Sequence, residues 1–273
     1  MPSARENTDL VSFDQINRSF QDFKQLRKQL PEDAVVALAR EVLKSLARQM
    51  DDSGTKSKDV LELSHALVGP DNKAAPLIVE RILKNGLDTN RLYLEYLSPA
   101  SHQLGQWWDE SEVSFADVTI GTGRIYAIMR ALERRRPKKT FLVNKTALFA
   151  MTPGEDHILG LRMASDMARK DGWHIELAVD DGHDALIERI TSSKQLIIGL
   201  SAAGRHSVPN LARLVIAIRL KAPKAYIMVS GNVVDVAEES VRLMDVDGMA
   251  RDYKGAMQHL DQFWGLLRRA DIN

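Results

Sequence analysis

The hydrophobic period of this chain changes once, near Pro137, and that change requires two architectures in one polypeptide. Before it, apolar residues recur every three to four positions. The spacing predicts helices over about 59–68, 73–86, 89–107 and 114–135, broken at Gly69-Pro70, Asn85-Gly86 and Asp109–Glu112. Pro99 is expected to kink or split the third of these helices. Four amphipathic segments on short links suggest a small bundle. After Pro137, short apolar runs at Thr146–Met151, Ile175–Val179, Leu196–Leu200, Tyr226–Ser230 and Val246–Met249 read as strands. Helical stretches near 157–171, 183–192, 208–221, 234–243 and 254–269 alternate with them. Such alternation implies an α/β fold with a flavodoxin-like, doubly wound parallel sheet. Ligands of such sheets bind outside the carboxyl ends of the strands. The loops after residues 151, 200 and 230 are therefore the places to look for a site.

The expected domains are an N-terminal helical extension (1–58), a four-helix bundle cap (59–137) and an α/β domain (143–273). In the extension, Phe13, Ile16, Phe20, Phe23 and Leu26 fall at helical spacing. Pro31, followed by Glu32 and Asp33, opens a second helix that runs to about residue 52, with Val35, Leu38, Val42, Leu43 and Leu46 on one face. At 273 residues and 44% apolar content the chain has enough material for these parts, and 27% charged residues is ordinary for a soluble protein. No apolar run spans a bilayer and the N-terminus does not look like a secretory signal, so the cytoplasm is the expected location. There are no cysteines, which excludes disulfide and thiolate chemistry. Lys+Arg and Asp+Glu number 37 each, against the basic excess of most DNA binders. The compact basic run Arg134–Arg136 with Lys138 and Lys139 reads as a solvated helix end. No nucleophile–base pair and no metal-hydrolase spacing appears, so a binding protein is expected rather than an enzyme.

The first loop reads Thr152-Pro153-Gly154-Glu155-Asp156-His157, then Ile158-Leu159-Gly160. A carboxylate two residues before a histidine can bond one ring nitrogen and leave the other to ligate a metal. A Glu-x-His at a helix start can equally be a capping feature. Gly160 would let a bulky group approach the backbone. The second loop, Ser201-Ala202-Ala203-Gly204-Arg205-His206-Ser207, and the third, Ser230-Gly231-Asn232, are built of small residues. Each can be a tight strand-to-helix turn. His102, His174, His183, His206 and His259 read as surface or packing residues, His206 being the one in a ligand-side loop.

The joint spacing resembles the cobalamin-binding domains of methionine synthase and its relatives. Those carry Asp-x-His-x-x-Gly, then Ser-x-Leu about 41 residues later, then Gly-Gly after some 26 to 28 more. Here Glu155-x-His157-x-x-Gly160 is followed by 40 residues, Ser201-x-Ala203, 26 residues and Ser230-Gly231. Glu155, Ala203 and Ser230 depart from the Asp, Leu and Gly of the pattern. The resemblance implies that His157 is the lower ligand of cobalt and that Glu155 bonds it from behind. It further implies that Ser207 extends the relay, and that Gly160, Ser201 and Ser230-Gly231 line a slot for the nucleotide tail. A second resemblance is to the cap bundle of CarH-type photoreceptors, through Gly105-x-x-Trp108. Val118 and Thr119 stand where those proteins have Glu-His, and Asp109 follows Trp108.

Without a winged helix, the chain most resembles the stand-alone AerR and PpaA regulators of photosynthesis genes, with the haem-binding domain of AppA as a cousin. That resemblance implies a cobalamin-binding sensor, with light as one candidate signal, that controls transcription through a repressor of the PpsR or CrtJ type. Little direct DNA binding is implied, and self-association is left open. The adenosyl, methyl and hydroxo forms of the ligand also stay open. So do two alternatives, a corrinoid carrier of a methyltransferase system and a haem sensor on the same fold.

Overall fold

The computed structural model describes residues 56–134, 145–193 and 195–270. The two amphipathic stretches expected at 13–29 and 31–52, and the basic run beyond Arg134, lie outside these. The chain divides into two compact units, 1–62 and 63–273. The described part of the first is the opening of a helix, α1, over 56–68.

The second unit contains the bundle and the sheet. Its cap comprises the rest of α1, then α2 (Ala74–Lys84), α3 (Thr89–Leu92), a π-turn (Tyr93–Leu97), α4 (Ser98–Asp109) and α5 (Phe115–Arg134). Leu67, Ile82, Leu92, Tyr93, Leu97, Leu104, Ile125 and Ile128 are buried and form the apolar interior that the helical spacing anticipates. Pro99 does not break the third segment. It lacks the N–H that would reach back one turn, and the π-turn immediately before it absorbs the misfit, so the chain stays helical through it. Arg124 on α5 donates to the carbonyls of Ala66, Leu67 and Gly69 at 3.2, 2.8 and 2.6 Å. These are carbonyls that the end of α1 leaves without helical partners. Asp88 caps α3 by accepting from the N–H groups of Asn90 and Arg91.

The α/β half runs β1 (Lys145–Met151), α6 (Ile158–Lys170), β2 (Trp173–Ala178), α7 (His183–Ser192), β3 (Ile197–Ser201), α8 (Val208–Lys221), β4 (Tyr226–Ser230), α9 (Val233–Val236), α10 (Glu238–Arg242), β5 (Gly248–Ala250) and α11 (Tyr253–Ala270). All strand pairs are parallel, in the order β2-β1-β3-β4-β5. That is the flavodoxin-like order, with its reversal point beside β1 and β3. Both faces of the sheet are covered, which is why its strands read as nearly continuous apolar runs. Leu148, Ala150, Ile198, Leu200, Ile227 and Val229 face α7 and α8. Ala147, Phe149, Met151, Ile197 and Met228 face α6 and α11. The helix expected at 234–243 is two short ones broken at Ala237, whose φ of −144° is not helical. The last strand lies about two residues later than its apolar run suggests.

Candidate functional site

The site grows out of the ends of β1, β3 and β4. Ser201 stands opposite Met151 on one side and Ser230 on the other, so the three loops start level with one another. They are stitched together by backbone bonds. The Thr152 N–H donates to the Ser201 carbonyl at 2.9 Å, and the Ala202 N–H to the Ser230 carbonyl at 3.1 Å. Gly231 has φ +96°, and a Cβ there would stand 2.3 Å from the Ala202 carbonyl oxygen. Only glycine allows this close approach of the third loop to the second.

Glu155 is the hub. It is only 4% exposed, although it sits in a loop. Its Oε2 accepts from the Ala203 N–H at 2.8 Å and from the Ser207 hydroxyl at 2.7 Å. Its Oε1 accepts from the N–H groups of Asp156 and His157 and bonds His157 Nδ1. Burial by itself pushes this carboxyl up. The bonds from His157, Ser207, and the N–H groups of Ala203 and His157 outweigh burial and hold it down at about 2. The carboxylate is therefore ionised at neutral pH and acts only as an acceptor, so the neutral tautomer it selects is the one with the proton on Nδ1 and the lone pair on Nε2. The His157 side chain is 71% exposed. It occupies the cap position of α6, where the chain turns from loop to helix.

His206 adds a second imidazole to the cluster, with Nε2 3.6 Å from Glu155 Oε2. The Asn210 amide holds the Pro153 carbonyl at 2.9 Å and pins the first loop to α8. Thr152 is fully buried, and its hydroxyl has no partner among the described residues. None of these three contributions follows from spacing alone. His206 is flagged only by its loop, and Asn210 and Thr152 carry no signal beyond proximity to strand ends.

Gly160 is exposed on the first turn of α6, and a Cβ placed there would meet nothing within 4 Å. Ser201 and Ser230 are partly buried at the strand ends, and Gly231 is exposed beyond them. The three cap residues singled out in the sequence stand elsewhere. Trp107 is buried against His65, whereas Trp108 is 50% exposed and its ring faces Phe115 at 6.4 Å. Val118 and Thr119 lie on the first turns of α5, and the Thr119 hydroxyl donates to the Phe115 carbonyl at 2.8 Å. The hydrogen-bonded set around Glu155 includes none of the three.

An exposed imidazole with one nitrogen fixed by a buried anion is a metal-ligand arrangement of the carboxylate–histidine kind. Open space over Gly160 and a buried, unpartnered hydroxyl at Thr152 give room and polarity for a large group beside it. Among the described residues, no cluster of three or more histidine or acidic side chains is placed to hold a bare metal ion. Fold and site together define a helical cap with a flavodoxin-like domain whose strand-end loops present one exposed, oriented imidazole.

Comparison with known proteins agrees with that class. Residues 61–133 match the model of the family described as a B12 binding domain, which places the match on the cap. A curated relative, an uncharacterized 20.5 kDa protein in the bchF-crtJ intergenic region of Rhodobacter capsulatus, is 28% identical over 89 residues. That stretch is 32% of this chain and 46% of the relative, so the match spans less than half of the relative's length. The monomethylamine corrinoid protein of Methanosarcina barkeri superposes with a TM-score of 0.58 at 16% identity, over 73% of this chain and 95% of that one. It shares the fold. The resemblance read from the motifs, to cobalamin-binding domains with a helical cap, thus holds. Among the described residues, no helix is long and apolar enough to cross a membrane.

Proposed function

We propose that this protein binds a cobalamin through His157 Nε2 and acts as a sensor that regulates transcription through a protein partner. The observation that carries the ligand assignment is the Glu155–His157 pair. A buried carboxylate held ionised fixes the imidazole tautomer and leaves one exposed nitrogen at the carboxyl ends of the central strands. The B12 binding domain match on the cap supports it from the other half of the unit. In this reading Gly160, Ser201, Ser230 and Gly231 receive the nucleotide tail, and Ala203 and Ser207 steady Glu155 from behind. Trp108, Val118 and Thr119 belong to the cap side of the ring. When bound, an alkylated corrinoid would supply a cobalt–carbon bond that light or a nucleophile can break. The protein's own part would be to present His157 Nε2, keep Glu155 anionic through the Ala203 and Ser207 donors, and shape the surrounding space.

The regulatory half of the proposal rests on the photosynthesis-gene setting in the name of the R. capsulatus relative, and on the amphipathic stretch 31–52, which is suited to docking on another helix. A repressor of the PpsR or CrtJ type is the proposed partner. The second reading is a corrinoid carrier of a methyltransferase system, since the M. barkeri protein that shares this fold is itself a corrinoid protein.

The test is to load the purified protein with hydroxocobalamin, methylcobalamin, adenosylcobalamin and haem in turn, and to record absorption before and after illumination. His157→Ala is expected to abolish the histidine nitrogen hyperfine splitting in the electron spin resonance of the cob(II) state. Splitting that survives the substitution, or preferential loading with haem, would sink the assignment. Methyl transfer to a thiol without a light response would favour the carrier.

A further inference from the structure

A cavity of about 520 Å³ lies where α5 of the cap passes α6 and the end of β2, and the cobalt ligand does not account for it. Its ionisable lining is Arg130 and Glu133 from α5, Arg162, Asp166 and Arg169 from α6, and Asp180 beyond β2. Three cations face three anions, so the cavity has no net charge. Asp166 and Arg169 are bonded to each other at 3.2 Å, and Arg169 also holds the Ile175 carbonyl at 2.8 Å.

Arg162 is in a different position. Its Nε is buried and meets no acceptor among the described residues, while its guanidinium lies over the Tyr126 ring, 5.6 Å from the centroid. Stacking orients the plane but gives the Nε–H no acceptor among the described residues. A buried donor left in this way costs on the order of 1–3 kcal/mol. The cavity beside this guanidinium has room for an acceptor to the Nε–H that the described residues do not supply. Asp180, held in the left-handed region at φ +63°, supplies an acceptor of its own to the same space. Burial raises the Tyr126 phenol, with Arg162 opposing and Asp180 adding to the rise, so its hydroxyl keeps its proton.

The chemistry of the occupant follows from this balance. A carboxylate would suit Arg162 but would be repelled by Asp180 and Glu133. An ammonium would meet the reverse. A primary carboxamide is uncharged, accepts at its carbonyl and donates at its nitrogen, and so matches both kinds of partner at once. Cobalamin carries primary carboxamides around its corrin, whereas haem carries carboxylates. We propose that Arg162, with Tyr126 and Asp180, recognises a peripheral carboxamide of the corrinoid and selects amidated over acidic tetrapyrroles. This rests on the cobalamin reading above and adds a specificity determinant to it.

The experiment titrates full-length protein with hydroxocobalamin and with its monocarboxylates, in each of which one peripheral carboxamide has been hydrolysed to the acid. Binding is read from the absorption change on histidine coordination and from retention on gel filtration. Parent protein is expected to prefer hydroxocobalamin over at least one monocarboxylate by about tenfold. Asp180→Asn makes the cavity net positive and is expected to erase that preference, and asparagine tolerates the left-handed backbone. Arg162→Gln is expected to weaken hydroxocobalamin by about tenfold while leaving the coordination spectrum of the bound form unchanged. Circular dichroism checks the fold of both variants, and the comparison of ligands on the parent needs neither. Equal affinity of the parent for all the corrinoids, or full affinity in a folded Arg162→Gln, would overturn the carboxamide site and leave the cobalamin reading standing. Failure of the parent to take up hydroxocobalamin at all would overturn both.

Discussion

Glu155 is a charged residue that the fold buries and then surrounds with donors. Removing it leaves the Ala203 N–H and the Ser207 hydroxyl facing an empty space. Glu155→Ala is expected to cost about 2–4 kcal/mol in a denaturant titration of the ligand-free protein. Glu155→Gln, which keeps one acceptor oxygen, is expected to cost less. A loss below about 0.5 kcal/mol for the alanine variant would mean that water replaces the carboxylate without penalty. Gly231 is constrained for a different reason. Gly231→Ala would put a methyl 2.3 Å from the Ala202 oxygen at φ +96°. It is expected to destabilise by about 2 kcal/mol or more, seen as a fall in Tm, because neither the dihedral nor the oxygen can give way alone. The Glu155–His157 relation is legible in the sequence because both partners lie within two residues of each other. Asn210 is not, since its bond to a loop carbonyl 57 residues earlier leaves no periodic trace, and Thr152 is not, since only the fold encloses its hydroxyl. The orphaned nitrogen of Arg162 is equally invisible, because on a helical wheel it is one more polar residue on α6.

At the scale of elements, the cap and the sheet meet through side chains at helix ends. Asp88 caps α3 and also accepts from Lys170 Nζ at 2.9 Å, at the end of α6. Burial would raise this carboxyl, but the Lys170 ammonium and the N–H groups of Asn90 and Arg91 prevail and lower it. A lowered folded value means that the contribution is whole above the ordinary value of 3.8 and is lost as pH falls through the folded value. Asp88→Ala is expected to cost about 1 kcal/mol at pH 7, most of it the lost cap, with Lys170→Ala costing less because the pair is half exposed. Denaturation at pH 7 and at pH 2.5 checks this, since the gap between parent and Asp88→Ala should narrow at the lower pH. An unchanged gap would show that the charge on Asp88 contributes nothing. The strands at 146–151 and 226–230 are legible as short apolar runs bounded by polar residues. The break at Ala237 is not, because alanine favours helix and no glycine or proline marks the stop. It falls where Val234 and Val241 must both reach the sheet core, a requirement that only the fold imposes.

For the molecule as a whole, the equality of 37 basic and 37 acidic residues removes the electrostatic term that drives most DNA affinity. Alone, the protein is expected to bind DNA weakly and without sequence preference in a mobility-shift titration at about 150 mM salt, where exposed charges are screened. With a candidate repressor present, its effect should appear as a change in the repressor's shift that depends on bound cobalamin. Tight, selective binding by the protein alone would restore a direct DNA-binding regulator. The open sheet has a further consequence for how copies of this chain can meet. One rim is β5, only three residues long, and the other is β2, where His174 is exposed and Glu176 pairs with Arg189 at 3.7 Å. A rim that is short, or set with polar and charged side chains, is a poor template for another strand. Growth of the sheet from one molecule into the next is thereby discouraged at both ends, and self-association is directed to the helices and loops.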